Sequence, residues 1–243
     1  MSWRAALLAL LALLPAAASA QDCRLALVLA LDVSSSVDAA EDRLQREGLA
    51  AALLAPEVVE AALGGEPVAL HAFEWSGIRT QVPLLPGWRL IEDEGDLRAV
   101  AEAVRGSRRS TVALPTAVGN ALGFAADLLR DGPPCDRQTV DVAGDGIANE
   151  GVEPSVAYRI FPFEGVTVNA LVVGNPPGGG LGAGEEGRRV ARWFQAEVLR
   201  GPGAFSLLAD GYGDYERAMR IKLRRELELP AVSGVPEAGG GAG

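Results

Sequence analysis

The sequence predicts an α/β protein built on a doubly wound, mostly parallel sheet with helices on both faces. Three observations carry that expectation. Leu25 to Leu31 (LALVLAL) is an unbroken apolar run of strand length, as expected for a strand covered on both faces. Further strand-like runs, Val68 to Trp75, Thr139 to Ala143 and Val166 to Val173, alternate with helical patterns. Polarity then switches abruptly where strands end: Asp32-x-Ser34-x-Ser36 follows the first run, and Gly144-Asp145-Gly146 follows the third. In open parallel sheets ligands bind outside the carboxyl ends of the strands, so these positions are candidate site positions.

The ends of the chain read differently from its middle. Met1 to Arg4 is a positive start, Ala5 to Leu14 a short apolar run, and Ala18-Ser19-Ala20 a small-residue cleavage pattern. Residues 1–20 are therefore expected to be a secretory signal peptide, too short for a membrane anchor. Residues 21–229 are expected to form one domain, and the Pro/Gly/Ala-rich tail, 230–243, to be disordered. An exported protein, periplasmic or secreted, follows from the leader. Removing Arg4 with it takes the formal charge from −10 to −11, which argues against nucleic acid and anionic membranes as partners. No other segment is long and apolar enough to span a bilayer, and a monomer is expected. In an oxidising compartment the only two cysteines, Cys23 and Cys135, favour a disulfide over a metal site. They precede the first and third apolar runs, so neighbouring strands would place both at the sheet end opposite Asp32.

After the serine cluster, Asp38-x-x-Glu41 has the form of a capping box and opens a helix to about Leu54. Pro56 starts a short helix that Gly64-Gly65 ends. Val68 to Trp75 is followed by a Ser76-Gly77 turn and a partner strand over Ile78 to Leu84. His71 lies within the first of these and reads as a packed strand histidine. Glu92 to Arg105 predicts a surface helix, and the Arg108-Arg109 loop a solvated rim. Pro115 introduces a helix to about Leu129, with Thr116 in its first turn. A short helix is expected over Glu153 to Ile160, then the strand Val166 to Val173 and a glycine-rich mobile loop over Asn175 to Gly187. Arg188 to Leu199 reads as helical, Ala204 to Ala209 as a last short strand, and Tyr212 to Leu229 as an amphipathic closing helix with basic Lys222, Arg224 and Arg225.

Taken alone, Asp32, Ser34 and Ser36 read either as a cap for the following helix or as three oxygens aimed at one hard cation. Three loops gather at one sheet edge in this reading, carrying Asp32-Val-Ser34-Ser-Ser36, Thr116 and Asp145. Thr111 is a rival for Thr116, and Asp141 for Asp145. One histidine and two cysteines leave no soft cluster for zinc or copper.

The constellation resembles the von Willebrand factor A domain with its metal-ion-dependent adhesion site. Asp32, Ser34 and Ser36 match the Asp-x-Ser-x-Ser of its first loop, the Thr116-Ala-Val-Gly-Asn-Ala-Leu122 helix its second, and Asp145 its third. Glu74-Trp-Ser-Gly77, Gly144-Asp-Gly146 with Asn149, Gly201-Pro-Gly-Ala-Phe205 and Lys222-Leu-Arg-Arg-Glu226 give a finer likeness to a bacterial family of exported von Willebrand A-like proteins of uncharacterised function. The resemblance implies strand order 3-2-1-4-5-6. It implies Mg²⁺ held by Asp32, Ser34, Ser36, Thr116 and Asp145, with Mn²⁺ or Ca²⁺ as substitutes. It also implies a protein or peptide partner that offers a carboxylate to the cation. A Mg²⁺-dependent hydrolase is the alternative, but its Asp-x-Asp pair and Gly-x-Ser-x-Gly elbow are missing. A metal-free structural part of the envelope is the third reading.

Overall fold

The structure, a computed structural model, describes residues 23–174 and 184–228. The expected signal peptide, most of the glycine-rich loop and the expected tail lie outside the described residues. Strand β1 (Leu25–Asp32) is buried along its whole length and stands at the centre. It pairs in parallel with β2 (Val68–Trp75) on one side and β5 (Gln138–Gly144) on the other. Parallel pairing continues from β5 to β6 (Val166–Val173) and on to β7 (Ser206–Ala209). At the opposite edge β2 carries two short antiparallel strands, β3 (Gln81–Pro83) and β4 (Arg89–Ile91). With these fragments counted as one edge strand, the path is the order 3-2-1-4-5-6.

Alternation along β1 assigns its faces. Leu25, Leu27, Leu29 and Leu31 pack beneath α1 (Ala39–Leu53), α2 (Pro56–Leu63), α3 (Glu94–Gly106) and α7 (Tyr215–Leu227). Ala26, Val28 and Ala30 face α4 (Val118–Arg130), α5 (Pro154–Ile160) and α6 (Gly184–Trp193) with the π-helical turn Phe194–Val198 that extends it. A two-sided core explains why β1 reads as a continuous apolar run rather than an alternating one. The Asp38 carboxylate accepts from the Ala40 and Glu41 amides while Glu41 accepts from the Asp38 amide, so the capping box forms. No helix of the described residues is long and apolar enough to cross a membrane.

At the amino end of the sheet Cys23 and Cys135 form a disulfide across 112 positions of sequence. Beside it Arg24 is buried and donates to the carbonyls of Ala61, Ala62, Glu66 and Leu227. One guanidinium thus caps the carboxyl ends of α2 and α7, where unpaired carbonyls and the helix dipoles favour a cation.

Several expectations need correction. The strand expected over Ile78 to Leu84 is three residues long, because Ser76 to Thr80 closes as a turn. β4 was not expected at all, three residues being too few for a period-2 signal. Thr116 stands just before α4 rather than in its first turn. Gly184 to Gly187 belong to α6 instead of the loop, and Tyr212 to Asp214 form a 3₁₀ turn ahead of α7. Lys222, read as one of the basic residues of the amphipathic closing helix, is fully buried. His71 is buried as expected, its ring edge-on to Trp88 at 5.5 Å.

Candidate functional site

The site forms where β1 and β5 end side by side, at the point where the strand order turns from β2 to β5. A doubly wound sheet opens a crevice there. Asp32 ends β1 fully buried, and its Oδ1 accepts from the Ser34 amide at 2.7 Å, which folds the loop back over the strand. The Ser34 and Ser36 hydroxyls lie 3.1 Å apart, and Ser36 donates to Oδ1 of Asp145 at 2.6 Å. Asp32, Ser34, Ser36 and Asp145 are thereby brought together in one chain of contacts. Thr116 is buried beside them: a Cβ placed on Gly146 would lie 3.6 Å from Thr116 Oγ1 and 3.9 Å from Ser36 Oγ. A Cβ on Gly144 would lie 3.1 Å from Oδ2 of Asp32. The two glycines around Asp145 leave the approach to these oxygens open.

The electrostatics are unusual for five polar residues in one place. Oδ2 of Asp32 and Oδ2 of Asp145 are buried, and neither has a hydrogen-bond partner. Burial, then the neighbouring Asp145 charge, pushes the Asp32 carboxyl up to about 7. Burial also raises Asp145. Nearby, the Tyr212 hydroxyl is raised by burial and by the charges of Asp145, Asp32 and Glu41. Two orphaned carboxylate oxygens amid hydroxyls make a donor set suited to a hard divalent cation, which would satisfy both and relieve their repulsion. Among the described residues no group of three or more His, Cys, Asp or Glu side chains is placed to hold a metal ion by itself.

Several residues that position the site escaped the sequence reading. Arg109, expected on a solvated rim, donates to the carbonyls of Val33, Ser34 and Val37 at 2.7, 2.8 and 2.6 Å. It fastens the first loop from beneath. Gln45 donates to the Asp32 carbonyl at 2.9 Å. Asn149 accepts from the Thr116 amide at 2.9 Å and donates its own amide to the Thr116 carbonyl, tying the second loop to the third. Behind them Glu74 is fully buried, with Arg46 on one oxygen and the Ser110 amide on the other. Asp42 and Ser107 hold Arg46 in turn. This network connects α1 and β2 to the segment that carries Arg109. The only sequence signal was the Glu74-Trp-Ser-Gly77 turn and Asn149, noted as family-like traits without a role.

Arg109→Met is expected to weaken divalent-cation affinity roughly tenfold while the protein stays folded, as for residues that orient ligands without touching the ion. Titration calorimetry with a far-ultraviolet dichroism spectrum checks it; unchanged affinity would remove Arg109 from the site.

The family model described as "Protein of unknown function (DUF1194)" matches residues 22–231. No curated protein matches the chain. Among solved structures, proximal thread matrix protein 1 from the mussel byssus, with a zinc-occupied MIDAS motif, is similar at TM-score 0.59 and 16% identity; the match covers 83% of this chain and 48% of that one. The pilus adhesin SpaC from Lactobacillus rhamnosus GG is similar at TM-score 0.58 and 12% identity, over 84% and 31%. A von Willebrand factor type A protein from Catenulispora acidiphila gives TM-score 0.56 and 16% identity, over 84% and 43%. The chain spans less than half the length of these three. At such identities they establish the fold, which is that of a von Willebrand A domain.

Proposed function

The chain belongs to DUF1194, a protein family of unknown function, and from that premise we propose that it is an exported binding module whose metal-dependent site captures a carboxylate-bearing protein or peptide. The observation that carries this reading is the pair of buried, partnerless oxygens on Asp32 and Asp145, set among the hydroxyls of Ser34, Ser36 and Thr116. Asp32, Ser34, Ser36, Thr116 and Asp145 are the residues that would hold the cation. Oxygen donors of this kind favour Mg²⁺, with Mn²⁺ or Ca²⁺ as substitutes. When bound, the cation supplies an electrophilic position for an anionic oxygen from outside. Three of the five donors are neutral hydroxyls, so its charge is not over-neutralised by the protein.

The chain's own residues do the rest. Arg109 and Gln45 hold the first loop rigid, Asn149 fixes Thr116, and Gly144 and Gly146 keep side chains out of the approach. The mussel matrix protein with its zinc-occupied MIDAS motif and the pilus adhesin lend support by analogy of fold. Export rests on the amino-terminal leader pattern.

An array of short peptides, each made with Asp and with Asn at one position, tests the reading. The expected result is Mg²⁺-dependent retention of the Asp member of a pair, abolished by chelation and absent for its Asn partner. Retention that ignores chelation, or no Asp peptide retained in Mg²⁺, would contradict it.

A further inference from the structure

A second candidate site lies at the other end of the sheet. There the face of β5 and β6 beneath α7 turns polar: Thr139, Asp141, Thr167 and Asn169 stand where β1 presents leucines. Lys222 and Glu226 of α7 cover Asp141 and Asn169. Beyond them Thr139 and Thr167 line an open groove of about 340 Å³, together with Arg137, Phe205, Arg225 and Glu226.

On two charged side chains of this groove one terminal atom has no hydrogen bond. The Glu226 side chain is buried; its Oε1 takes Lys222 and Asn169 at 2.6 and 2.7 Å, but its Oε2 is buried without a hydrogen bond. On Arg137, Nη2 is likewise buried without a hydrogen bond, and the like charge of Arg24 stands nearby. A buried polar atom left unpaired is costly, more so when charged, so a ligand that supplies both partners regains that cost on binding. A simple anion would satisfy Arg137 and meet repulsion from Glu226; a simple cation would do the reverse. A small molecule carrying a carboxylate and an ammonium group satisfies both. Arg225 lies 3.7 Å over the Phe205 ring, which gives the groove one flat wall of mixed apolar and cationic character.

We propose that this groove binds a small zwitterion of the α-amino acid class, its carboxylate on Arg137 and its ammonium group on Glu226. The site owes nothing to the metal-dependent reading and stands if that reading fails.

The test is titration calorimetry on the chain from Gln21 to Gly243 with each standard α-amino acid, up to about 10 mM, which covers Kd values near 1 mM. At least one amino acid is expected to bind saturably. Its N-acetyl derivative, without the ammonium charge, and its methyl ester, without the carboxylate, should each bind about tenfold more weakly or worse. Arg137→Met should weaken binding by a similar factor with the ligand-free melting temperature little changed. Should that variant unfold, Arg137→Lys serves instead, with an intermediate loss expected. Binding by none of the amino acids, equal binding of the N-acetyl form, or affinity retained without the Arg137 guanidinium would each overturn the proposal.

Discussion

Replacing Lys222 with methionine is expected to cost the folded protein about 3–5 kcal/mol, because it removes one partner from a fully buried ionic cluster. Lys222 Nζ lies 2.6 Å from Asp141 Oδ1 and 2.6 Å from Glu226 Oε1, and all three side chains are at most 1% exposed. Asn169 donates to the same Glu226 oxygen and accepts from the Phe205 amide, which extends the cluster to the loop before β7. Methionine matches the volume of the stem, so the loss is electrostatic rather than steric: two carboxylates would share a dry site with no cation between them. The cluster joins α7 to the middle of β5 and β6.

The cost should depend on pH, and its sign follows from Glu226. Burial, then the Asp141 charge, raises its carboxyl from 4.5 to about 7, against the weaker downward pull of Lys222. Below the unfolded value both states are protonated, and this group leaves stability unchanged. As pH rises from about 4.5 to about 7, the unfolded chain releases its proton first, so stability falls across that window and levels off above it. Lys222→Met removes the cation that makes ionisation of Glu226 tolerable, so its penalty should be smaller near pH 4 than above pH 7. Denaturant melts across that range check this; a pH-independent loss would mean that the lysine acts through packing.

How far this chain could be read from its sequence varied with the distance over which each feature is encoded. β1 was legible because seven consecutive apolar residues need no partner to announce a strand covered on both faces. The α1 capping box was legible because Asp38 and Glu41 are three positions apart. Asp32, Ser34 and Ser36 form a local pattern at a strand end, and the structure places Thr116 and Asp145 beside them. Features that neutralise one another across the fold were not legible. Lys222 looked like one of several basic residues on a surface helix, because Asp141 and Glu226 surround it only once α7 lies on β5. Arg109 looked like a rim charge because its acceptors are backbone carbonyls, which carry no side-chain signature. The second half of the edge strand was missed because Arg89-Leu-Ile91 is too short to show a period.

The second large effect belongs to the candidate metal site, where one substitution should act in opposite directions. Asp32→Asn keeps the shape of the side chain and removes its charge. Without a cation, the wild-type chain above pH 7 holds ionised Asp32 and Asp145 together in a buried place, at a cost reflected in the rise of Asp32 from 3.8 to about 7. Neutralising Asp32 should therefore raise metal-free stability at pH 8 by up to about 4 kcal/mol. The same change should lower divalent-cation affinity by roughly a hundredfold or more, since it removes a charged donor. A residue that merely capped α1 would show neither effect.

The most direct measurement is Mg²⁺ titration calorimetry on the chain from Gln21 to Gly243 at pH 8, beside Asp32→Asn and Asp145→Ala, with metal-free melts of all three. About one equivalent is expected to bind the wild type and none either variant, with Asp32→Asn melting higher than wild type. Binding that survives both substitutions, or an Asp32→Asn protein less stable than wild type without metal, would contradict that expectation.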